Sequence, residues 1–202
     1  KFSSVGIIIV GTVMMDLAKS QLEEHMKMLD KISHEDLQAL SSAAAIVIEC
    51  QRNGGTVYVA GNGGSAADAQ HFASELRENG VRAECINTNI SYALAIANDY
   101  GFNSIFSRQL DHIGKPGDVA CLYSISGTSP NIVAAAEVAK RKGLKLIIFT
   151  SKRPTADRIS SLSDAAVRAI STDMQRCQEY HGLANHIIWL LVMKEFGIEY
   201  HK

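Results

Sequence analysis

Apolar residues recur at three- and four-residue spacing between Met15 and Arg52, first at Leu17, Leu22, Met26 and Leu29, then at Leu37, Leu40, Ala44 and Ile48. That period predicts amphipathic helices. The rhythm breaks near Ser33, whose hydroxyl suits a helix N-cap, with Glu35 and Asp36 in the turn that follows. Two helices are therefore expected before residue 53. Beyond them the pattern changes to short apolar runs, TVYVA (56–60), AECIN (83–87), DVACLYS (118–124), LKLIIFT (144–150) and DAAVRAI (164–170), mostly separated by helical stretches. Near-continuous aliphatic runs alternating with helices predict an α/β fold whose parallel sheet is covered on both faces. The last stretch, Met174 to Phe196, is apolar all round in its second half, which predicts a helix buried in the core or between copies of the chain.

Composition narrows this picture. With 202 residues and 47% hydrophobic content the chain can bury one substantial core. Twenty basic against 21 acidic residues leave a formal charge of −1, so no broad field points to nucleic acid or an anionic membrane, and any anion must be bound locally. Cys50, Cys85, Cys121 and Cys177 contain no C-x-x-C pair and mostly sit in apolar stretches, the pattern of inert thiols in a reducing cytosol. The apolar run Val5 to Met15 is shorter than the roughly 20 residues a membrane span needs. Because Met14 and Met15 can serve as starts, residues 1–13 read as upstream or tag-derived sequence and residues 14–202 as a single domain.

Two loops carry candidate chemistry. After the first strand the chain reads Gly61-Asn62-Gly63-Gly64-Ser65 and continues helically; strand, glycine turn and helix in that order place backbone N–H groups at the carboxyl edge of a sheet, where ligands bind. Glycines also serve ordinary tight turns, so this loop alone decides nothing. After DVACLYS comes Ser124-Ile125-Ser126-Gly127-Thr128-Ser129-Pro130-Asn131, a set of hydroxyls and a helix start that suits a phosphate monoester without any lysine. An ordinary N-cap would account for Ser129 but not for Ser124 and Ser126. Neither a P-loop nor a dinucleotide fingerprint is present, so the phosphate belongs to a small substrate.

His71 and Glu75 stand four residues apart on one helix face and can share a metal ion. Gln178 and His186, eight residues apart on the last helix, lie about 80° from each other, whereas His181 lies about 140° from His186 and should point elsewhere. Two helices could thus offer N, O, O and N ligands to one divalent ion, zinc being the natural first choice. Any single histidine or glutamate on a helix is more often structural or solvated than functional.

The segments GNGGSAADAQHFASEL (61–76), AIANDYGFNSIFSRQL (95–110), SISGTSPN (124–131) and CQEYHGLANH (177–186) resemble, in the same order, motifs of bacterial phosphoheptose isomerases of the SIS-domain family. The resemblance implies a three-layer sandwich with a five-stranded parallel sheet of flavodoxin-like type and an N-terminal helical arm. It implies a zinc ion held by His71, Glu75, Gln178 and His186, with Glu75 as general base and His186 as general acid. It implies substrate phosphate on Ser124, Ser126 and Ser129, and further contacts from Asn62, Gly63, Ser65, Asp99 and Gln178. It also implies a cytoplasmic homotetramer with shared sites, acting on a sugar phosphate that feeds lipopolysaccharide or another surface glycan. Departures from the family pattern are a shortened segment LRENGVR after Glu75, lacking a G-R-Y arginine for which Arg77 or Arg82 would substitute, a fourth-strand turn FTSKRPTAD without its glycines, and Gln175 where an acidic residue is usual. A noncatalytic regulator or replication-initiation adaptor on the same fold, or an isomerase of another sugar phosphate, are the alternative readings; the presence of Glu75 and His186 favours the enzyme.

Overall fold

The computed structural model describes residues 4–198, with side chains described from residue 13 onward. The chain forms two units, residues 1–33 and residues 34–202. The first carries one helix, α1 (Ser4–Leu29), which begins well before the expected start near Met15. Of the segment read as upstream sequence, residues 1–3 and the side chains through residue 12 lie outside the described residues. Val13, Met14, Met15, Leu17, Leu22 and Met26 are exposed on this helix.

The second unit opens with α2 (His34–Arg52), which starts directly after Ser33 and carries Glu35 and Asp36 in its first turn, as expected. Five strands follow: β1 (Val57–Gly61), β2 (Ala83–Cys85), β3 (Val119–Tyr123), β4 (Lys145–Ser151) and β5 (Ala165–Ala169). All pair in parallel, in the order β2-β1-β3-β4-β5. Every residue of β1 and β3 is buried, and so is β4 after Lys145, while the edge strands β2 and β5 alternate. Central strands have a neighbouring strand on either side and helices over both faces, whereas an edge strand is open along one side, which is why only the central runs are continuously apolar.

The connecting helices are α3 (Gly64–Glu78), α4 (Ile90–Tyr100), α5 (Ser107–Ile113), α6 (Pro130–Arg141), α7 (Asp157–Leu162) and α8 (Met174–Glu195). α2, α3 and α8 cover one face of the sheet, and α5, α6 and α7 cover the other. Ala60, Ala120, Leu122, Leu146 and Ile148 point into the core beneath α6, together with Phe106, Leu110 and Ile132. On the opposite face Tyr123 stacks on Phe149 with ring centroids 4.2 Å apart, and His181 of α8 meets both rings edge-on.

α8 is covered only in part by its own chain. Ile188, Val192 and Met193 are buried, but Leu190 and Leu191 are 44% and 38% exposed, so only one side of the helix serves this core. The four cysteines are free and buried, and burial pushes the Cys50 and Cys177 thiols up to about 11, as inert thiols require. Among the described residues no helix is long and apolar enough to cross a membrane.

Candidate active site

Strand order reverses between β1 and β3: α3 leaves β1 for one face of the sheet and α6 leaves β3 for the other. A crevice opens at the carboxyl ends of such a strand pair. Here it is a cleft of about 440 Å³ lined by both loops, including Asn62, Gly63, Ser65, Ser124, Ser126 and Ser129, with Arg153 and Gln178 at its sides.

The β1 loop is shaped by what it cannot hold. A Cβ on Gly61 would lie 2.4 Å from the Ser65 carbonyl oxygen, and Gly63 has φ +54°, a region open mainly to glycine. Asn87, just past β2, grips the Gly61 backbone in both senses, donating to its carbonyl at 2.8 Å and accepting from its N–H at 3.1 Å. Asn62 and Asn131 exchange amide hydrogen bonds of 2.9 and 2.8 Å, tying the two loops together. Neither Asn87 nor Asn131 was expected at the site; both stand at the sheet's carboxyl edge, the positional signal that could have found them.

The serine loop is held from behind. Thr150 donates to the Ser124 carbonyl (2.7 Å), Ser151 to that of Ile125 (2.8 Å) and Thr155 to that of Ser126 (2.8 Å). His181, fully buried, bonds the Thr150 carbonyl at 2.8 Å, and because a carbonyl only accepts, its Nε2 must carry the hydrogen. With these carbonyls drawn toward β4, hydroxyls line the cleft. Ser129 stands at the N-cap of α6 yet makes no side-chain capping bond; its hydroxyl instead accepts from Ser124 at 3.1 Å. The ordinary capping role therefore does not explain this loop.

α3 and α8 run side by side, in contact at Gly64 with Gln178, at the Asp68 carbonyl with Asn185 Nδ2 (3.2 Å), and at Glu75 with His186. His71 Nε2 and His186 Nε2 are 3.2 Å apart, and Glu75 Oε1 lies 3.6 Å from the first and 3.4 Å from the second. Nitrogen and oxygen donors bound tetrahedrally at about 2.0–2.1 Å stand about 3.3 Å from one another. All three edges of this triangle are close to that length, so the residues fit a zinc-sized ion. The other carboxylate oxygen of Glu75 is buried and has no hydrogen-bond partner. Half of each histidine side chain remains exposed, so the triad faces outward from the helix layer.

Gln178 reaches one of its two expected places in this chain and Asp99 does not reach the cleft. Gln178 joins the cleft and not the triad: its Nε2 would lie 2.1 Å from a Cβ on Gly64, at the opposite end of α3 from Glu75. Eight residues of helix rise about 12 Å, so nearness in angle to His186 does not bring it near in space. Asp99 is exposed at the end of α4, where it accepts from Asn98 (2.8 Å), and does not line the cleft. Of the substituting arginines, Arg82 bonds the Gly55 carbonyl at the amino edge of the sheet, and Arg77 is exposed in the last turn of α3. Asp68, one turn before His71, has an unpartnered buried Oδ2; burial pushes its carboxyl up to about 6, with His71 pulling the other way.

The SIS domain family matches residues 22–151. A phosphoheptose isomerase of Geobacter sp. strain M21 is 38% identical over 192 residues, covering 92% of this chain and 99% of the relative. That of Thermodesulfovibrio yellowstonii is 37% identical over 183 residues, covering 88% and 90%. The structure of phosphoheptose isomerase from Neisseria gonorrhoeae superposes with a TM-score of 0.85 at 30% identity, covering 90% of this chain and 99% of that one.

Proposed function

The chain belongs to the phosphoheptose isomerase family of SIS-domain proteins, and from that premise we propose that it converts sedoheptulose 7-phosphate to D-glycero-D-manno-heptose 7-phosphate in the cytoplasm, supplying heptose for lipopolysaccharide or another surface glycan. The observation that carries the reading is the convergence of His71, Glu75 and His186 from two helices, in a chain that also builds a hydroxyl cup.

The reaction moves the carbonyl from C2 to C1. A proton leaves C1 and is returned to C2, and a hydroxyl proton passes from O1 to O2. Glu75 acts as the general base that takes the C–H proton and gives it back. His186 moves the proton between the oxygens, while Ser124, Ser126 and Ser129 hold the phosphate and thereby orient the reacting carbons. His71, Glu75 and His186 would hold a zinc ion, which when bound would stabilise negative charge developing on the substrate oxygens. Gln178 and Asn62 face the sugar from the cleft wall.

The working unit is a homotetramer whose sites draw on more than one copy. The triad faces outward, and Ile90, Leu94, Tyr100 and Phe102, as well as Leu190 and Leu191, expose apolar surface that another copy would cover. Asp99, on the same exposed segment as Leu94 and Tyr100, would serve a neighbouring copy's site.

Incubation with ketose phosphates in deuterated water, zinc supplied, should place deuterium on C2 of the aldose. No exchange with any sugar phosphate would sink the isomerase reading. Only four residues join α3 to β2, which makes another sugar phosphate the second reading, and the preferred ketose in the same panel decides it.

A further inference from the structure

The cleft between the two loops is neutral with one exception. Its lining consists of asparagine, glycine, serine, tyrosine, isoleucine, methionine and glutamine side chains, and, among the described residues, Arg153 is the single charged group. A phosphate monoester is close to dianionic at neutral pH. Backbone amides and hydroxyls can cradle it, but they do not neutralise it.

Arg153 is built into the cup. It follows β4, whose Ser151 holds the Ile125 carbonyl of the serine loop. Two residues beyond it, Thr155 holds the Ser126 carbonyl, and Ala156 packs so closely on Gly127 that a Cβ there would lie 2.4 Å from the Ala156 Cα. Between these anchors Pro154 begins a short 3-10 turn, which fixes the direction in which residue 153 leaves the strand. The Arg153 carbonyl accepts from Arg168 at 3.5 Å, and its guanidinium donates from one terminal nitrogen to the Thr172 carbonyl. A guanidinium has five N–H donors, so that bond orients the group and leaves its other donors for an anion in the cleft.

We propose that Arg153 is the anion-recognising residue of this chain, pairing with the phosphate held by Ser124, Ser126 and Ser129 and selecting dianionic phosphate esters over neutral sugars. The inference rests on the reading of the serine loop as a phosphate cup. It does not require that the chemistry be isomerisation.

Titration calorimetry with inorganic phosphate, done without turnover, tests it on the wild-type protein and on Arg153→Gln and Arg153→Lys. Loss of one charge-assisted contact predicts phosphate binding weaker by about 10- to 100-fold in Arg153→Gln. For the best sugar phosphate of the exchange panel, the loss should fall on KM more than on kcat. Arg153→Lys, which keeps the charge and a donor for Thr172 but loses the planar fork, should bind phosphate about 5-fold or more weakly and covers the case in which the glutamine variant does not fold. Phosphate affinity within about twofold of wild type in a folded variant would overturn the proposal. Weakened phosphate binding with no isotope exchange would leave Arg153 in place and remove the isomerase; exchange with unchanged phosphate affinity would do the reverse.

Discussion

Glu75 shows how much depends on a single side chain. Its Oε1 faces two imidazoles and its Oε2 is buried without a partner, so a neutral amide of the same shape keeps the packing but cannot accept a proton. Glu75→Gln should lower turnover by about 10²- to 10⁴-fold while the melting temperature stays within a few degrees; full activity would remove Glu75 from the mechanism. His71→Ala should release the metal, read as zinc per subunit by plasma mass spectrometry falling from about one towards zero. His181 illustrates the opposite fate for a histidine. Burial holds it neutral down to about 4, against an ordinary 6.5, although its bond to the Thr150 carbonyl acts in the other direction. Its folded value is depressed, so above pH 6.5 both states are neutral, and below that the unfolded chain takes up a proton that the folded one refuses. Stability should therefore fall as pH drops from 6.5 towards 4, by at most about 1.4 kcal/mol per pH unit from this residue. Urea unfolding at pH 7 and pH 5 should show that loss in the wild type and a smaller one in His181→Asn.

Among the elements, the turn from β1 into α3 is held by groups far away in sequence. Asn87 satisfies both backbone groups of Gly61, and a shortened residue there would leave them unpaired in a part-buried setting. Asn87→Ala should cost about 1–3 kcal/mol in chemical denaturation and weaken phosphate binding, because the loop it steadies is one wall of the cleft. An unchanged midpoint would show that the clamp contributes nothing. Sequence reading located these elements well where local pattern decides them: the continuous runs became β1, β3 and β4, and the break at Ser33 fell just before α2. For α8 it left open the core or a contact between copies, and Leu190 and Leu191 turn away from the core of their own chain.

For the whole molecule, the outward-facing triad and the exposed apolar segments predict an assembly. Light scattering should give a tetramer, and co-expression of Glu75→Gln with Ser126→Ala should restore activity that neither variant has alone if triad and cup meet across copies. No recovery in mixed tetramers would place both halves of each site in one chain.

What the sequence alone determined is whatever depends on neighbours within a few residues. Strand runs, helix period, the two loops at the sheet's carboxyl edge and the His71–Glu75 pair are of this kind, because backbone geometry converts local spacing directly into position. Tertiary structure decided the rest. Angular reckoning set Gln178 beside His186 but ignored the helical rise between them, and the packing of α3 along α8 sent one to the cleft and the other to the triad. The same packing of distant segments seats Arg153, an unremarked residue of a loop, as the only charge lining the cleft among the described residues.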